Sequence, residues 1–255
     1  MNGKRNPYPS FKTVFLIVTA AIIFNASLKY VGGLGKNNSA EKTINEYAVA
    51  NGFSLSDYPD EIVNLLKVNE ETKDFVLNYP SKIVDFKPDA INFKEYENCT
   101  EPPLLMQWDL RWGYLSYNES IMGISGSAPT ALSMAAIYEL QDISLTPVHM
   151  AEFAAGSNCE ARPEKLLSDG ARAFDMTVTE IPRNDSRLRQ AVSESGCVVV
   201  CLTDGKMLSQ AIVIRGLDED GKYLINDTMS KSRSEKSYTF ADIGTHLKKI
   251  WKYSK

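Results

Sequence analysis

The sequence predicts an α+β protein, and two observations carry that prediction. Helix-like patterns come first, from about residue 57 to 174, and β-branched runs separated by turns come after them. The composition is that of a globular chain, with 44% apolar and 24% charged residues. A chain of 255 residues allows one large domain with an appendage, or two small domains. No repeat with a period of about 20–50 residues is present. The net charge of −4 argues against nucleic acid as a partner, because binding DNA or RNA needs a basic face.

The elements follow in order. Residues 1–12 carry Lys4, Arg5 and Lys12, and no acid precedes Glu41. "VFLIVTAAIIF", Val14 to Phe24, is apolar apart from Thr19, and a softer continuation reaches Val31. The 13–31 segment just attains the roughly 18–20 residues needed to span a bilayer, and it also fits a signal-peptide core. Cleavage after Ala26 would place bulky Phe24 at −3, whereas cleavage after Gly33 would place Val31 there and is open; an uncleaved anchor is the favoured reading, with the basic tip cytoplasmic. Either reading exports the rest of the chain, to the outer side of the cell membrane or, after cleavage, into the medium. Residues 32–56 are polar and Gly/Asn/Ser-rich and read as a linker. Residues 57–102 hold two short helices, "SDYPDEIVNLLKVN" and "NEETKDFVLNYP", then an extended stretch ending at Pro102–Pro103.

The main domain is expected over 103–255. "LLMQWDLRWGYLSY" reads as an aromatic turn against the core. Pro129 to Leu140 reads as a buried helix packing through Leu132, Ala135, Ala136 and Ile137, with further helices over 147–155 and 163–174. "MTVTEI", "CVVVCL", "AIVIRGL" and "KYLIND" read as strands, followed by a helix over 240–248 and a closing "IWKY". Cys197 and Cys201, four apart, read as small thiols on one face of a strand. Cys99 and Cys159 could pair, but four cysteines allow three full pairings. No group has the spacing of a metal site, and no cofactor is implied. "GLDEDGKYLIND" matches part of a calcium loop at Asp218, Asp220 and Gly221, but a hairpin with an Asp-Gly turn explains the same letters. "NCT", "NES" and "NDT" fit glycosylation sequons.

"LLMQWDLRWGY", "GISGSAPTALSMAAIYEL", "AIVIRGLDEDGKYLIND" and "IWKYSK", in this order and spacing, resemble the peptidase C39-like family. The resemblance covers roughly residues 58–255. The segment before it resembles what precedes such domains in exported bacterial proteins. It implies a papain-like fold, with N-terminal helices packed on an antiparallel sheet. In that family a Cys at the head of the central helix attacks a carbonyl. A His ahead of a strand serves as base, an Asp or Asn one strand later orients it, and an upstream Gln stabilises the oxyanion. The resemblance puts Ser127 at the Cys position, Gln210 at the His position, Asp227 at the orienting position and Gln107 at the oxyanion position. An unassisted Ser hydroxyl is a weak nucleophile, and an amide cannot accept its proton near neutral pH. His149 and His246 are the two histidines, and neither is at the family's position. The implied protein is an exported, membrane-tethered pseudopeptidase whose old cleft binds a peptide, a cell-wall fragment or another protein. The alternatives are a hydrolase using Ser127 with an unrecognised base, and a surface module whose cleft has no role.

Overall fold

The computed structural model describes residues 39–194 and 196–255, which fall into two compact units, 39–59 and 60–255. The tip at 1–12 and the expected membrane or signal segment at 13–31 lie outside the described residues. Among the described residues no helix is long and apolar enough to cross a membrane.

In the first unit, α1 covers 39–50, within the span read as a linker. Ala40, Ile44 and Ala48 recur every fourth residue and are buried, a period that the polar composition around them conceals. The helix stops at Gly52, whose φ of 78° lets Phe53 N–H turn back to donate to Ala48 O at 2.8 Å.

In the second unit, α2 (Asp60–Val68) buries Ile62, Val63, Leu65 and Leu66. A 3-10 turn leads into α3 (Lys73–Leu77), and α4 (Tyr79–Lys82) carries Pro80 in its first turn, past the point where the sequence predicts a stop. Phe75 of α3 wedges against Gly113 and Gly123. A Cβ at those glycines would lie 2.6 and 2.3 Å from its ring, so side chains larger than hydrogen are excluded there. A small hairpin, β1 (Ser116–Tyr117) and β2 (Ser120–Ile121), runs into α5 (Met122–Ser125).

The central helix α6 spans Ser127–Leu140 and begins two residues earlier than the sequence predicts. It is buried on every side, because nearly all its residues are small or apolar, so it has no single packing face. α7 (Pro147–Gly156) packs beside it, started by Thr146, whose Oγ1 accepts from His149 N–H. The expected third helix is α8 (Pro163–Lys165) and α9 (Ala171–Ala173) joined by a π turn over Leu166–Gly170.

The six-stranded sheet is antiparallel throughout, in the order β3-β8-β4-β5-β6-β7. Its strands are β3 (Thr177–Glu180), β4 (Val198–Thr203), β5 (Ala211–Leu217), β6 (Tyr223–Asp227), β7 (Ser237–Tyr238) and β8 (Leu247–Ser254). Val198, Val200 and Leu202 of β4 face the α6 core, while Val199 and Cys201 face a second core under α10 (Asp185–Val192) and α12 (Phe240–Ile243). Burial on both faces is why β4 reads as an unbroken apolar run. A four-residue α11 (Lys231–Ser234) follows β6.

The expected helix over 240–248 ends at Ile243, and the chain from Leu247 is strand. Cys201 lies inside β4 while Cys197 precedes it, and all four cysteines are free thiols. Asp218 turns its carboxylate to its own hairpin: Lys222 N–H donates to Oδ1 at 2.8 Å, and Gly221 takes a φ of 73°. Trp112 and Tyr114 are core, whereas Trp108 is half-buried and donates from Nε1 to Met229 O at 2.7 Å. Asn226 of "NDT" is buried and donates to Pro102 O at 2.9 Å, which removes it as a glycosylation acceptor.

Candidate functional site

Three of the four residues singled out by resemblance line one pocket, and the fourth lies buried beneath it. Ser127 is the first residue of α6, because Gly126 ahead of it allows a close approach. A Cβ there would lie 2.5 Å from Met122 O. Gln107 comes from the aromatic turn, Gln210 immediately precedes β5, and Asp227 ends β6. Ser127, Gln107 and Gln210 line a pocket of about 470 Å³, together with Leu65, Val68 and Asn69 and the loop from Gly205 to Ser209. Asp227 lies below that surface, fully buried, and Arg233 forms part of the wall above it.

The Ser127 side chain is 4% exposed and saturated. Ala211 N–H donates to its Oγ at 2.8 Å. Its own proton has two acceptors in reach, Thr228 Oγ1 at 2.9 Å and Ala211 O at 3.1 Å. Thr228 Oγ1 lies 3.0 Å from Gln107 Oε1, an oxygen that can only accept. The other end of the Gln107 amide donates from Nε2 to Gly123 O at 3.1 Å and Ile124 O at 3.0 Å, which fixes its orientation. Both acceptors in reach of the Ser127 proton, the Thr228 hydroxyl and the Ala211 carbonyl, are neutral oxygens, and through Thr228 the chain leads on to Gln107 Oε1. The chain ends on a neutral amide, which takes up no proton near pH 7. The same contacts occupy the amide hydrogens that an oxyanion would need.

Asp227 holds no base in place. Its carboxylate accepts from Ser209 Oγ at 2.5 Å, Ser209 N–H at 3.1 Å and Met229 N–H at 2.9 Å. Arg233 closes on it with both arms, Nε at 2.8 Å and Nη2 at 3.0 Å. Burial works to lower the guanidinium's pKa, but the hydrogen bonds and charge of Asp227 outweigh it and the pKa stands above its ordinary value. Gln210 is exposed, and its main-chain oxygen accepts from Thr203 N–H at 2.8 Å. Neither histidine lines the pocket. His149 is exposed on α7 against the Phe174 ring, and His246 pairs through Nδ1 with Asp204 at 3.1 Å.

Thr228, Ser209 and Arg233 are the site residues that sequence reasoning missed. Thr228 follows Asp227 directly and so was legible by position, but nothing local in "KSRSEK" marks Arg233 as the partner of a buried carboxylate.

Comparison of the chain with protein-family models, with curated proteins and with solved structures finds no match.

Proposed function

We propose that residues 60–255 form a papain-like, peptidase C39-like domain without hydrolytic activity, which holds an exported ligand in the pocket over Ser127 while the N-terminal segment tethers it to a membrane. One observation carries the reading: the acceptors within hydrogen-bond reach of the hydroxyl at the head of the central helix are the neutral oxygens Thr228 Oγ1 and Ala211 O, and Thr228 leads on to the neutral Gln107 Oε1. A nucleophile needs a group that accepts the proton, and the hydrogen-bond partners of Ser127 include none. The pocket's own acid–base groups are Lys206 and Arg233. Arg233 is locked to Asp227, and Lys206 makes no hydrogen bond to Ser127 among the described residues. What remains is a concave, part-apolar surface of ligand-binding size, in line with pockets of roughly 300–1,000 Å³ that take small ligands.

The test is hydrolysis. The full chain and its Ser127→Ala variant are incubated with a diverse peptide mixture, and products are followed by mass spectrometry. The expected result is no cleavage above background in either. Cleavage that disappears in the variant would overturn the reading and would make Lys206 the first base to examine.

A further inference from the structure

Resting on the reading of a non-hydrolytic cleft, we propose that the pocket over Ser127 captures the free C-terminal carboxylate of a peptide, with Lys206 as the cation and the surrounding apolar side chains receiving the last residue. The chain has a net charge of −4, yet the charged side chains lining this pocket are Lys206 and Arg233, both cationic. Arg233 is neutralised by its two-armed pair with Asp227. Lys206 makes no hydrogen bond or ion pair through its ammonium among the described residues, and the acid that its charge reaches is Asp204, two residues before it. The nearest acid in the chain, Asp204, accepts the Lys206 backbone N–H at 3.0 Å and pairs with His246, and it does not line the pocket. The exposed amide of Gln210 stands in the same wall as a further donor.

The apolar part of the lining fits a side chain. Val68 lines the pocket and is 80% exposed, on the side of α2 that also carries the exposed Glu61 and Asn64. Met207 and Met229 supply flexible thioethers that adapt to different shapes. The pocket is also closed on one side. Asn69 and Met229 both line it, and Asn69 Nδ2 donates to Met229 O at 2.6 Å, so a chain cannot run through between them. The floor offers nothing to an internal carbonyl, since Ser127 and Gln107 are saturated. A blocked cleft of this volume, with a lysine in its lining whose ammonium makes no ion pair among the described residues, suits a chain terminus better than an extended segment.

The experiment is calorimetric titration of the full chain with an N-acetylated tetrapeptide ending in leucine, as the free acid and as the C-terminal amide, beside decanoate as an apolar carboxylate that is not a peptide. Binding of the acid at least about tenfold tighter than the amide is expected, lost in Lys206→Glu and unchanged in Lys248→Gln on an exposed strand position. Equal binding of acid and amide, or an acid affinity indifferent to Lys206→Glu, would overturn the carboxylate inference and leave the non-catalytic cleft standing. Decanoate matching the peptide acid would overturn the peptide assignment. Absence of binding by every probe would overturn the inference as well. Ser127-dependent cleavage of the peptide during the titration would instead overturn the reading on which it rests.

Discussion

Asp227 is the residue at which the expected arrangement and the observed one part company. A carboxylate with no solvent exposure is tolerable only because Arg233, Ser209 and Met229 give it five hydrogen bonds. The pair makes Asp227 a structural anchor for the Ser209 end of the pocket loop. Removing the carboxylate leaves Arg233, 29% exposed in the pocket wall, within reach of water, so the cost falls below that of a wholly buried pair. Asp227→Asn is therefore expected to lower the unfolding free energy by about 2–3 kcal/mol, the scale of lost hydrogen bonds to a charged group, read by urea denaturation. A loss below about 1 kcal/mol would show that the pair contributes far less than its geometry requires. The same residue shows what the sequence could carry. That it ends the strand after "AIVI" was legible. Its actual partner was not, because Arg233 reaches it through the turn of α11, and a four-residue helix leaves no periodic trace.

At the scale of elements, the segment holding α2 is fastened to the start of α11 through one side chain. Glu71 accepts from Ser230 Oγ and Ser232 Oγ, each at 2.7 Å, and from the N–H groups of Lys231 at 2.6 Å and Ser232 at 3.1 Å. Burial alone would raise its pKa, but these four donors outweigh it and hold the carboxyl below its ordinary value. A carboxylate with a depressed folded pKa adds stability above its unfolded value, near 4.5, and loses that contribution as pH falls through the folded value. Glu71→Gln is thus expected to destabilise most at neutral pH, with the difference from the parent shrinking toward pH 3. A difference that is flat across that range would mean that the charge plays no part in the clasp. Elements differ in how well their patterns survive in sequence. β5 was readable to both ends because a β-branched run stops at polar turns. β8 was not. Its pairing with β4 shifts between Leu202 and Thr203, so that Lys249 and Leu247 are consecutive partners and Lys248 is passed over. That bulge puts Leu247 and Ile250 in the same core although they are three apart, which imitates helical spacing. α10 went unnoticed because only Leu188 and Ala191 are fully buried in a charged stretch, even though Asn184 supplies an N-cap by accepting from Arg187 N–H.

For the whole molecule, the central helix joins the pocket at one end to the closing strand at the other, and its far end carries a buried acid. Glu139 is 8% exposed, its Oε1 has no hydrogen-bond partner among the described residues, and the N–H groups of Val198 and Lys255 face its carboxyl. Burial is the larger influence and pushes its pKa up to about 7, against the pull of those two N–H groups. The sign is opposite to that of Glu71. A carboxyl whose folded pKa lies above its unfolded value near 4.5 binds its proton more tightly when folded. Stability is then full below pH 4.5 and declines as pH rises to about 7, where the folded protein must bury a charge. A shift of this size corresponds to a penalty of up to about 3 kcal/mol, at about 1.4 kcal/mol per pH unit. The charge would fall between α6 and the first residue of β4, so the penalty bears on the joint between helix and sheet, not on one loop. Glu139→Gln keeps the shape and an accepting oxygen while removing the ionisation. Denaturant unfolding of both proteins at pH 5, 6, 7 and 8 should show the parent losing about 2–3 kcal/mol more than the variant across the series, with the variant the more stable at pH 8. Parallel curves would mean that Glu139 reaches water or a cation when it ionises, and that the helix end is open where the static packing has it closed.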